Sequence, residues 1–174
     1  MPRDVIKEVY KRISAQDKNF VWEYLVPEEE ALRVADRLGD KFSSGLPLFG
    51  IPFSVKDNIH VEGMPTSASC PAYAHLPDET APVVRQLLAA GAILIGKNIM
   101  DQFATGLVGT RSEVFPPNPF NPEYIPGGSS SGSAVAVTSH LVSFALGSDT
   151  GGSGRVPAAL NNIVGFKSTP SAIN

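Results

Sequence analysis

The sequence is poor in the residues that build disulfide frameworks and metal centres: one cysteine, one tryptophan and three histidines in 174 residues. Cys70 has no partner for an internal disulfide, which points to a reducing, cytoplasmic setting. His60, His75 and His140 are scattered and match no metal-ligand or triad spacing, so no metal and no cofactor is expected. Cys70 reads as a small apolar filler, and the three histidines as surface or packing residues. Long apolar runs are missing as well. Nothing approaches the roughly 20 residues that span a bilayer, and Met1 to Glu8 is charged where a signal peptide would be apolar, so neither secretion nor a membrane partner is expected. Basic excess is lacking too: charged residues make up 18% and the net charge is −3, which argues against a nucleic-acid partner.

What is present is an ordinary apolar content of 43%, enough for a core without disulfide or metal in a single domain over residues 1–174. Val5, Ile6, Val9, Tyr10 and Ile13 recur at helical spacing over residues 4–15. A second helix is predicted from Pro27 to about Phe42, with Pro27 in its first turn, three glutamates at its positive end, and Gly45 and Pro47 beyond it. Leu48 to Val55 reads as a buried strand that delivers Lys56 at its end. Residues 59–80 form a long loop. Thr80 is placed to cap a helix from Ala81 to Ala90, followed by the strand Ala92–Gly96. The order then repeats: helix from Ser133 to Leu141, strand Ser143–Gly147, short helix from Ser153 to about Leu160, strand Ile163–Lys167. Alternating helices and apolar strands predict an α/β fold with a mixed sheet covered by helices on both faces. Phe20, Trp22 and Tyr24 form an apolar patch assigned to packing. The proline-rich stretch 115–122 must be an extended loop, because proline fixes φ and removes a donor.

Two glycine-rich segments carry the chemistry. Gly127-Gly128-Ser129-Ser130-Ser131-Gly132 leads into an apolar helix and so reads as an ordered loop, not a flexible linker. Asp149-Thr150-Gly151-Gly152-Ser153-Gly154-Arg155 precedes another helix. It lacks the lysine of a phosphate loop and the spaced glycines of a dinucleotide fold. A serine hydroxyl becomes a nucleophile only when a base removes its proton, and a lysine serves as that base only when burial leaves it neutral. Lys56, at the end of an apolar strand, is the candidate, with Asp57 and Asn58 beside it to orient it. The expected relay runs from Lys56 to Ser129 to Ser153. The amides of Thr150, Gly151, Gly152 and Ser153 are placed to stabilise an oxyanion. Asp149 and Arg155 are read as a structural ion pair, and Gly128 as support for the serine loop.

These motifs resemble the amidase signature family over nearly the whole chain from Ala31 onward. The resemblance implies Ser153 as acylated nucleophile, Ser129 as bridging serine after a cis peptide bond, and Lys56 as general base and acid. Within the family, Asp101–Ser112, Asn118-Pro119-Phe120-Asn121-Pro122 and Ser153–Asn162 are most similar to the allophanate hydrolase group, implying allophanate or a related small amide as substrate. Two departures stand out. Relatives read Arg-Ser-Pro-Tyr-Gly where this chain has Arg111-Ser112-Glu113-Val114-Phe115, and the sequence stops before the end of a typical amidase domain. The resemblance therefore implies that a homo-oligomer or a partner chain completes the fold. The alternative is a catalytically incompetent relative acting as a binding or self-associating module.

Overall fold

The computed structural model describes residues 1–16, 20–39, 45–169 and 172. Its elements run α1 (Pro2–Ser14), β1 (Trp22–Leu25), α2 (Glu28–Leu38), β2 (Pro52–Lys56), α3 (Pro82–Ala89), β3 (Ile93–Asn98), α4 (Ser131–Thr138), β4 (Phe144–Leu146) and α5 (Arg155–Leu160). The four strands form one sheet in the order β1-β3-β2-β4. β2 lies parallel to both β3 and β4, and β1 runs antiparallel to β3. This is the predicted mixed α/β sheet.

Strand alternation separates two cores. Ile93 and Ile95 of β3 join Ile6, Val9 and Ile13 of α1, Ala31 and Ala35 of α2, and Val135 and Ala136 of α4. Leu94 points to the opposite face, where it meets Phe53 and Val55 of β2 and Val84 of α3. Each large aliphatic side chain so buried contributes about 1.5–3 kcal/mol. Helices thus cover both faces. Phe53 and Phe144 stack at 5.4 Å and tie β2 to β4.

Several expectations need correction. Trp22 and Tyr24 do pack against the core, but Trp22 to Leu25 also form an unforeseen edge strand, β1, with a register irregularity between Trp22 and Tyr24; four residues with an interrupted pattern gave too short a period to read. The strand expected from Leu48 begins only at Pro52, because Leu48 and Gly50 amides bond Ala90 and Gly91 in a turn that ties this segment to the end of α3. α2 ends at Leu38 with Gly39 at φ 66°; Phe42 lies outside the described residues. Thr80 does not cap α3: Ala81 holds that position, and Thr80 Oγ1 accepts the Glu62 amide at 2.9 Å. Residues 163–167 form no strand, and Val164 and Phe166 are 95% and 86% exposed. An extended segment becomes a strand only when a neighbour takes up its amides and carbonyls, and none of the described strands does so here.

The proline-rich loop is irregular as expected. Buried Asn118 fixes it by donating Nδ2 to the carbonyls of Ile125 (3.2 Å) and Leu160 (3.0 Å). Asn161 Nδ2 donates to Pro126 O at 2.6 Å, so the approach to the serine loop is tied to α5. Among the described residues no helix is long and apolar enough to cross a membrane.

Candidate active site

Lys56 is the last residue of β2, and its neighbours explain where it points. Phe53 and Val55 face the core under α3, so alternation turns Ser54 and Lys56 to the other face. The Lys56 side chain is fully buried. Its Nζ lies 2.6 Å from Ser129 Oγ and 2.8 Å from Ser148 Oγ, and no carboxylate forms an ion pair with it among the described residues. Burial therefore pushes its pKa down to about 8, against the weaker upward pull of Asp101 and then Asp149. Asp57 does not orient Lys56 as expected. Its carboxylate faces away, to Lys97 Nζ at 3.0 Å and to the amide and hydroxyl of Ser67, each at 2.8 Å. Asn58 does join the hydrogen bonds, donating Nδ2 to Ser148 Oγ at 3.0 Å.

Ser129 follows a cis Gly128–Ser129 peptide bond. The loop before it is clamped: Gly127 and Gly128 amides donate to the carbonyls of Val108 (3.1 Å) and Leu107 (2.8 Å), and the Asp101 amide donates to Ser129 O at 3.0 Å. Only glycine fits at 128, since a Cβ there would stand 2.2 Å from Asp101 Oδ2. Gly132 is required for a different reason. It lies in the first turn of α4, where a Cβ would stand 2.7 Å from the carbonyl oxygens of Ile99 and Val21, so glycine lets the helix seat against the end of β3.

The second loop is organised by Asp149. Its carboxylate accepts the amides of Gly152 (2.8 Å), Gly154 (3.1 Å) and Arg155 (3.0 Å) and both Nε and Nη2 of Arg155 at 2.9 Å. The Arg155 guanidinium, with these amides, holds the Asp149 carboxyl well below the usual carboxylate range. The Gly152 amide, one of the four expected oxyanion donors, is thereby directed at Asp149. Ser153 is buried, 8% exposed. Its carbonyl accepts the Ser130 amide at 3.1 Å, which seats it against the serine loop. Its hydroxyl has no hydrogen-bond partner among the described residues. The structure thus joins Lys56 to Ser129 directly, and Ser153 to the same loop through the backbone.

Sequence reasoning missed two residues. Ser148 stands one position before the second glycine-rich motif, and is a ligand of the Lys56 amine. Asp101 is fully buried and holds the wall loop, its Oδ2 accepting the Gly109 amide (3.0 Å) and Oδ1 the Arg111 amide (2.8 Å). The signal for Ser148 was its place in the same glycine-rich run. For Asp101 only the fold supplies one. Cys70 is partly buried, His60 and His75 make an edge contact with ring centroids 5.5 Å apart, and no group of three or more His, Cys, Asp or Glu among the described residues is arranged to hold a metal ion.

The family model described as Amidase matches residues 4–173. The chain is 51% identical over 150 residues to urea amidolyase of Saccharomyces cerevisiae, covering 85% of this chain and 8% of that protein. It is 57% identical over 125 residues to urea amidolyase of Lachancea kluyveri, covering 71% of this chain and 7% of that protein. Allophanate hydrolase of Kluyveromyces lactis superposes with a TM-score of 0.80 at 43% identity, over 91% of this chain and 27% of that one. The chain therefore spans well under half the length of each of these relatives. Sequence and fold together make the chain a member of the Amidase family.

Proposed function

We propose that this chain carries the acyl-transfer centre of an amide hydrolase, with Ser153 as nucleophile, Ser129 as proton relay and Lys56 as general base. The observation that supports it best is the buried Lys56 amine, 2.6 Å from Ser129 Oγ, with hydroxyls and no carboxylate as its direct partners among the described residues. Neutral Lys56 accepts the Ser129 proton as Ser129 accepts the proton of Ser153, whose oxygen attacks the amide carbonyl. The amides of Thr150, Gly151 and Ser153 stabilise the oxyanion. Collapse breaks the C–N bond, the ammonium of Lys56 returns its proton through Ser129 to the leaving nitrogen, and water then hydrolyses the acyl-enzyme. The similarity to urea amidolyase and allophanate hydrolase favours allophanate or a related small amide, and the reaction as written calls for no metal or organic cofactor. The test is ammonia release from allophanate and simple amides, with Ser153→Ala as control: release that depends on Ser153 is expected, and equal release by the variant overturns the assignment.

A second reading rests on the exposed Val164 and Phe166, which line one hollow with Phe144, Ala145 and Leu146, at the edge of β4 that no described strand pairs. Apolar residues next to an open strand edge suit self-association or a partner chain, so this chain is then a binding module, alone or in addition to catalysis. Labelling by a fluorophosphonate probe separates the two: labelling lost in Ser153→Ala supports the hydrolase, whereas folded protein that resists the probe supports the module.

A further inference from the structure

We infer that Asp101 is a positioning residue of this centre: from behind the serine loop it supplies the fixed negative charge that stabilises the ammonium form of Lys56, while holding Ser129 in place. The inference rests on the triad reading above. The position of Asp101 is set by four observations. Its side chain is fully buried. Its amide donates to Ser129 O at 3.0 Å. Its oxygens accept the amides of Gly109 and Arg111. Its Oδ2 lies where a Cβ on Gly128 would be, 2.2 Å from that ideal atom, so the carboxylate is pressed against the peptide that carries Ser129.

No cation neutralises this carboxylate by direct contact among the described residues. Arg111, which gives it an amide, turns its guanidinium to the Thr105 carbonyl at 3.4 Å. The carboxylates bearing on Lys56 are Asp101 and then Asp149, whereas Asp57 faces away from it. Asp57 is occupied by Lys97 at 3.0 Å. Asp149 is occupied by Arg155 at 2.9 Å, so its field is largely cancelled. Asp101 thus has no compensating cation in contact among the described residues, and a field in a buried site is screened little. Ser129 and Ser148, the direct partners of Lys56, are neutral hydroxyls, so the charge that appears on the amine when the relay delivers its proton is balanced from Asp101. Without that charge the amine is a weaker base, and the proton transfer from Ser153 through Ser129 is less favourable.

Asp101→Asn tests this, with Asp101→Ser as a smaller variant should the amide crowd the Gly109 N–H. The readouts are the titration of Lys56, followed through its 13Cε resonance and identified by its absence in Lys56→Met, and the pH profile of fluorophosphonate labelling at Ser153. Removal of the charge is expected to move the Lys56 midpoint down by about one pH unit, a tenfold change in the amine-to-ammonium ratio. The acid limb of labelling should move by the same amount while the plateau falls, and Asp101→Glu should bring both back toward wild type. A merely structural role lowers the plateau and leaves the limb in place. An unmoved Lys56 midpoint in both variants overturns the inference, whether or not the chain is labelled. Absence of labelling from wild type, with the midpoint shift present, instead overturns the hydrolase reading and leaves the coupling established.

Discussion

Two lysines stand side by side in the sheet and have opposite surroundings. β2 and β3 pair in parallel, with Val55 opposite Lys97 and Lys56 opposite Asn98, and both lysine side chains are fully buried. Lys97 has what an ammonium needs: Asp57 Oδ1 at 3.0 Å, Pro65 O at 2.7 Å and Thr66 Oγ1 at 2.6 Å. Burial lowers its pKa, and Asp57, by charge and hydrogen bond, pulls it back up. Lys56 has two hydroxyls and, at a remove, Asp101 and Asp149, so burial dominates and the amine titrates near pH 8. The anion in direct contact is the difference. It makes Lys97 part of the scaffold and leaves Lys56 able to gain and lose a proton near neutrality.

The largest effect that could break this contrast is on reactivity. Replacing Lys56 by methionine keeps the bulk and removes the proposed base, and a general base is worth about 10²–10⁴ in rate. Labelling of Ser153 by a fluorophosphonate should fall by that order in Lys56→Met. In Lys97→Met, compared under conditions where the variant is folded, it should change far less. Equal losses in the two variants would mean that Lys97, not only Lys56, serves the chemistry.

Stability should show the reverse order. Lys97→Met leaves Asp57 buried without its counter-charge, which costs about 3–5 kcal/mol. Lys56→Met breaks no ion pair and should cost much less. Urea unfolding of the two variants decides between them. Adding Asp57→Asn to Lys97→Met should recover part of the loss, because the stranded charge is then gone.

The contrast also explains what was legible in the sequence. Lys56 could be found because a charged residue closes an apolar strand and two serine loops downstream supply its partners. The glycines at 128 and 132 pointed to an ordered loop, and the structure adds what stands against them: the Asp101 carboxylate and the end of β3. The direction in which Asp57 faces could not be read, since a residue at a strand end belongs to whichever face its neighbours leave open, and Lys97 is 40 positions away by number (97 − 57). The second glycine-rich loop was half legible for a similar reason. Its glycines announced a turn, but only the three-dimensional loop reveals that Asp149 takes the Gly152 amide. The strand expected at 163–167 has the right residues and no partner strand among the described residues, which composition alone does not report.

A smaller, pH-dependent difference follows from Lys56. Its folded value of about 8 lies below the ordinary 10.5, so between these values the unfolded chain holds the extra proton and stability rises with pH. Below pH 8 the full cost of burying the ammonium is present, about 3 kcal/mol for a shift of this size, and it is relieved on approaching pH 10.5. Because Lys97 and other groups titrate as well, the quantity to measure is the difference between wild type and Lys56→Met. Wild type should gain on the variant between about pH 8 and 10.5, and a difference curve that stays flat would show that Lys56 is no more desolvated folded than unfolded.

The smallest effect concerns the ion pair beside Ser153. Arg155 is 55% exposed, whereas the Asp149 side chain is 7% exposed, so the two halves of the pair are unequal. Arg155→Ala removes a solvent-screened partner and leaves Asp149 holding the amides of Gly152, Gly154 and residue 155; its melting temperature should fall only slightly, and less still at high salt. Asp149→Ala leaves those same amides without their acceptor beside Ser153, and should lower both the melting temperature and the labelling rate more than Arg155→Ala does. The loop is thus held by a carboxylate that collects backbone amides, with the arginine as an outer brace. The reverse order of the two variants, measured by thermal unfolding at low and high salt, would place the organising role in the arginine.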